Sequence, residues 1–168
     1  MSRLVLTVLL AALSLAALSL AALSLAAQAA DPHPIVVYSK QARFEDVRDD
    51  LKIAIENRGL VIDHVSHVHR MLERTGKDIG ATVKIYVDGE ALLFCSATFS
   101  RKTMEADAGN IAFCPYAITV YTTAKEPDRV YVAYHRPWRP DGTPASKAAL
   151  KEVEALLDGI VKEALNIK

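Results

Sequence analysis

The sequence predicts an α+β domain in which helices pack on a largely antiparallel sheet. Three observations carry that prediction. Short β-branched runs recur along the chain, as in Ile35-Val36-Val37-Tyr38 and Val130-Tyr131-Val132; helical apolar stripes occupy residues 43 to 58 and the C-terminal segment from Thr143; no linker or composition shift divides residues 31 to 168.

Taken in order, the first 29 residues have one basic residue, Arg3, a long apolar run and the small-x-small site Ala27-Gln28-Ala29. That is the layout of a secretory signal peptide, with cleavage expected before Ala30 and an exported, periplasmic mature chain beginning near Asp31. Within it "AALSL" stands three times in tandem from residue 11 to 25. This lengthens the apolar run toward the ~20 residues that span a bilayer, so an uncleaved N-terminal anchor is the alternative. The Ala-x-Ala site and the abrupt change to Asp31-Pro32-His33-Pro34 favour cleavage. No later stretch is apolar and long enough to span, so no membrane association is expected once the signal is removed.

Ile35 to Tyr38 is apolar throughout, which predicts a covered first strand. Phe44, Val47, Leu51 and Ile55 recur at helical spacing, with Gly59 as the C-terminal stop of a helix over 43–58. Residues 60–67 alternate as a second strand, after which Ser66 is expected to cap a short helix that turns Val68, Met71 and Leu72 toward the core and ends at Gly76. Asp88-Gly89 between β-branched and aromatic residues predicts a two-residue hairpin turn, with Ile85 facing Leu92 and Val83 facing Phe94. A polar helix is expected over about 98–107. A strand containing Pro115 follows, at an edge or a bulge because proline donates no hydrogen bond, and then a last strand at 130–136. Leu150, Val153, Leu157, Ile160 and Val161 form the stripe of the closing helix.

The order of these pieces, with "NRGLVI", "MLERTGKDIGA", "LLFCSATFSRKTMEAD", "NIAFCPYAITVY" and "LKEVEALLDGIVKEAL", resembles the bacterial and archaeal domain-of-unknown-function family 302 over nearly the whole mature chain. The most specific feature is a pair of cysteines bracketing a helix, Cys95 and Cys114. Where the common family pattern has Asn-Pro after the first cysteine and Pro before the second, this chain has Ser96-Ala97 and places Pro115 after the second. The resemblance implies a curved antiparallel sheet, related in outline to TATA-box-binding-protein-like folds, and often a homodimer. It implies no established reaction.

Kinship of fold does not transfer DNA binding. The chain has 20 basic and 20 acidic residues, a balance that gives no electrostatic footprint for nucleic acid.

Four groups of residues carry candidate chemistry. Exported cysteines meet an oxidising environment, so a disulfide between Cys95 and Cys114 is one reading, stabilising by about 3 kcal/mol through chain entropy. Buried free thiols and a metal- or sulfur-handling pair are the other two. The segment "DHVSHVHRM" offers His64, His67, His69 and Met71 as candidate metal ligands; if it stays extended, His67, His69 and Met71 share a face and His64 points the other way. If a helix begins after Ser66, as capping favours, His67 and His69 lie about 200° apart and cannot chelate together. His135, Arg136 and Trp138 at a strand exit are a candidate ligand pocket, with Arg136 as a fork for an anion. "ERTGKDIG" fails as a phosphate loop, because Met71 and Asp78 stand where glycine and Ser/Thr are required.

No triad or carboxylate pair supports a catalytic assignment, and no cofactor is required. The expected function is a non-enzymatic exported module that binds a small ligand or a periplasmic partner protein. The alternative is a redox, metal- or sulfur-handling protein built on the Cys95/Cys114 pair.

Overall fold

Five strands and four α-helices follow one another in the computed structural model, which describes residues 33–167; the predicted signal segment lies outside the described residues. In chain order they are β1 (Ile35–Gln41), α1 (Phe44–Glu56), β2 (Val61–Ser66), α2 (Val68–Gly76), β3 (Tyr86–Cys95), α3 (Ala97–Ala106), β4 (Tyr116–Thr123), β5 (Arg129–His135) and α4 (Pro144–Leu165). Short 3-10 turns at Lys77–Ile79 and Ala108–Phe113 follow α2 and α3. All strands join one sheet of order β1-β5-β4-β3-β2, and every pairing is antiparallel. The expected α+β class is therefore the observed one. No helix among the described residues is long and apolar enough to cross a membrane.

The core follows from alternation. Leu92 and Phe94 of β3, Tyr116, Ile118 and Val120 of β4, and Val130, Val132 and Tyr134 of β5 point to one side of the sheet and are buried. Against them lie Phe44, Val47, Leu51 and Ile55 of α1 and Val153, Leu157, Ile160 and Val161 of α4, and the fifth predicted stripe residue, Leu150, is buried as well. Each fully buried aliphatic side chain there stabilises by about 1.5–3 kcal/mol. The opposite side of the sheet exposes Ile35, Val37 and Val61. β1 is thus covered on one face only, a correction to the expectation from its unbroken apolar run.

Helix ends are fixed by local chemistry. The Thr143 hydroxyl accepts from the Ser146 N–H at 3.1 Å with Pro144 in the first turn, and the Ser96 hydroxyl caps α3 by accepting from Phe99 N–H. Gly59, at φ 69°, turns the chain from α1 into β2. The short helix differs from expectation at both ends. Ser66 is the last residue of β2, His67 is the N-cap without a side-chain bond, and the chain passes through Gly76 into a 3-10 turn that Gly80 stops at φ 69°. None of its residues is buried, and Met71 is 44% exposed, so the expected core stripe is absent.

The predicted hairpin is overturned. Asp88 and Gly89 lie inside β3 and pair with Thr122 and Tyr121, with one register shift after Tyr86. Gly89 is not in the left-handed region that such a turn needs. The ladder to β4, which runs from Tyr86 to Phe94, outweighs the local turn signal. Pro115 likewise precedes β4 instead of interrupting it.

Two polar clusters tie the helices down. Buried Asn110 donates to the Thr103 carbonyl at 2.8 Å and to the Ser146 hydroxyl at 2.9 Å, fastening the α3 exit to the start of α4. Asp158 of α4 accepts from the Tyr38 hydroxyl at 2.6 Å and pairs with Lys162 at 2.9 Å. Burial by itself would raise its carboxyl, but the hydrogen bonds from Tyr38 and Lys162 outweigh that and hold it below the ordinary carboxylate range. A carboxylate depressed on folding contributes stability that is present above its unfolded pKa of about 3.9 and is lost as pH falls through the lower folded value. Thermal melts from pH 7 to pH 2 are therefore expected to show a smaller acid loss of Tm in D158N than in the wild type. Equal losses would remove Asp158 from the acid response.

Candidate functional site

A cavity of about 330 Å³ opens between α2 and the segment that leads into β3. It exists because β3 starts only at Tyr86. Gly80 reverses the chain, Ala81 N–H donates to the Gly76 carbonyl at 2.8 Å, and residues 81–85 run back beside α2 outside any element. Leu72 of α2 and the exposed Ile79, Val83 and Ile85 give the cavity an apolar lining, while Glu73, Lys77 and Lys84 add charge. Val83 and Ile85 are the side chains that the hairpin reading assigns to the core. Their exposure, 79% and 53%, places them outside the core.

His69 connects this cavity to the sheet. Its Nδ1 lies 2.8 Å from the Gly89 carbonyl oxygen and 3.1 Å from the Gly89 nitrogen, so the imidazole takes up the backbone position that β2 leaves after Ser66 pairs with Ala91. His67 Nδ1 sits 3.1 Å from Oε1 of Glu90, a carboxylate that is only 7% exposed. The two rings meet edge-on, 6.4 Å between centroids. His64 lies on β2 opposite Leu93 and is exposed. The structure therefore brings His67 and His69 together at the edge of β3, each on a different protein partner, with Met71 exposed on the helix. No three His, Cys, Asp or Glu side chains among the described residues are grouped so as to hold a metal ion.

At the exit of β5, Arg136 pairs with Glu154 of α4 and donates through Nε to the His33 carbonyl at 3.1 Å. Its fork is occupied by the protein itself. His135 is exposed, and Trp138 is 39% exposed beyond it. The three expected pocket residues are neighbours in sequence, and none of them lines the cavity.

Cys95 ends β3 and Cys114 precedes β4, and the two sulfurs stand 2.6 Å apart. The Ser100 hydroxyl of α3 is 3.6 Å from the Cys114 sulfur. Burial, then the hydrogen bond with Cys114, pushes the Cys95 thiol up to about 12. In the reduced state Cys95 is therefore a neutral, weakly nucleophilic thiol. Alkylation of reduced folded protein at pH 8 with peptide mapping is expected to modify Cys95 far more slowly than in unfolded protein. Equal rates would contradict this environment.

The fold is similar to a crystal structure of an uncharacterized conserved DUF302 protein from Bacillus stearothermophilus, with a TM-score of 0.65 at 14% identity over 79% of this chain and 99% of that one. At that identity the likeness concerns the fold. No curated protein matches this chain. The family described as Domain of unknown function DUF302 matches residues 35–164, from β1 to the end of α4, a span that includes both cysteines and the cavity. The chain belongs to the DUF302 family.

Proposed function

We propose that the protein is a non-enzymatic exported module that binds a small ligand in the cavity between α2 and residues 80–87. The observation that carries this reading is the cavity itself: about 330 Å³, with a lining that includes half-buried Leu72 and exposed Ile79, Val83 and Ile85. Small-molecule sites have volumes of about 300–1,000 Å³ and combine an apolar lining with a few polar groups. α2 buries no residue of its own, so a ligand wedged beside Leu72 would add apolar contact where the domain has least. Methyl NMR of the protein titrated with octan-1-ol and with octanoate tests the reading. At least one is expected to shift the Leu72, Ile79, Val83 and Ile85 methyls saturably, and a titration in which neither does so would defeat it.

The second reading rests on the 2.6 Å approach of Cys95 and Cys114. As a thiol–disulfide pair, the two thiols would release two protons and two electrons to form the S–S bond. An incoming disulfide would accept them and leave as two thiols. Mass spectrometry of unreduced, alkylated protein is expected to show neither cysteine modified. Two alkylated thiols in protein taken from the periplasm would end the disulfide reading.

A further inference from the structure

We infer that the cavity beside α2 selects a small apolar anion: a hydrocarbon body of roughly ten non-hydrogen atoms, on the basis that each occupies about the ~30 Å³ of a water in the liquid, ending in one negatively charged head such as a carboxylate. The inference rests on the reading of this cavity as a ligand site and adds to it the sign of the charge. Leu72, Ile79, Val83 and Ile85 make the aliphatic part of the lining. Lys77 and Lys84 both line the cavity and are exposed, and neither has a carboxylate partner among the described residues. Other cations of the domain do pair with acids, as Arg58 does with Glu163, Lys102 with Glu152 and Arg139 with Asp107.

The sequence places each lysine next to the lining. Lys84 stands between Val83 and Ile85, and Lys77 opens the turn that ends at Ile79. A lysine in such a place lays its alkyl stem along apolar surface and keeps its ammonium at the water boundary, where the head of an amphipathic ligand would stop. Glu73 is the one acid in the lining, so with Lys77 and Lys84 the lysine and carboxylate side chains there carry a surplus of one positive charge. A neutral ligand of the same size would fill the lining and leave both ammonium groups unused. An anionic one satisfies both surfaces.

Calorimetric titration of the full protein with octanoate and with octan-1-ol, on the wild type and on the K77Q/K84Q variant, tests the charge preference. Both lysines are exposed, so the variant is expected to fold, and circular dichroism checks that it does. Octanoate is expected to bind about tenfold more tightly than octan-1-ol, to lose about that factor in K77Q/K84Q, and to weaken as salt rises from 20 to 500 mM. Equal affinities for the two probes, or octanoate binding unchanged in K77Q/K84Q, would overturn the anion preference and leave the cavity reading standing. Binding of neither probe would overturn both.

Discussion

The architecture depends on β3 running unbroken from Tyr86 to Cys95. That strand pairs with β2 on one side and β4 on the other, and its alternate residues Leu92 and Phe94 anchor the core beneath α1 and α4. Both candidate sites lie at its ends. Where β3 begins, the chain before Tyr86 is left outside the sheet and folds back on α2 to enclose the cavity. Where it stops, Cys95 is delivered to within 2.6 Å of Cys114, the residue from which β4 departs. A hairpin at Asp88-Gly89 would place Val83 and Ile85 in the sheet and abolish the cavity.

Stability is distributed unevenly around that strand. The side beneath α1 and α4 holds nearly all the fully buried residues, and the hydrogen bonds of Asn110 and Asp158 tie the long helix to α3 and to β1. α2 has no buried residue and is held by imidazole contacts of His67 and His69 to Glu90 and Gly89. Ligand-binding elements are commonly drawn from the less stable parts of a domain, because they must yield to admit a guest. The position of the cavity agrees with that rule.

Much of the fold was legible because periodicity reports burial directly. The five stripe residues of α4 are buried as their spacing predicts, and α1, α3 and β5 fall within a residue or two of their expected limits. Asp88-Gly89 misled because a turn signal is local, while the pairing that overrides it comes from Tyr121 and Thr122, more than 30 residues away. The continuous apolar run of β1 misled because sequence does not say whether both faces of a sheet are covered, and here Ile35 and Val37 on the far face are exposed. The cysteine pair was visible as two residues bracketing a helix, and only the folded chain shows that they touch. The cavity was not visible at all. Its lysines look like solvated charges, and its aliphatic residues look like core until their exposure is known.

The histidine-rich segment shows how geometry separates residues that sequence groups. Three imidazoles within six positions are shared among a strand, a helix N-cap and a helix, and the two that meet are tied to β3. Their role is therefore bound to the same strand as everything else. Cross-strand proton NOEs across β3 are the most direct measurement of that dependence. The account predicts contacts of Gly89 with Tyr121 and of Leu92 with Ile118, from residues that pair directly in the sheet. Contacts of Ile85 with Leu92 and of Val83 with Phe94 would instead place a hairpin at Asp88-Gly89 and contradict it.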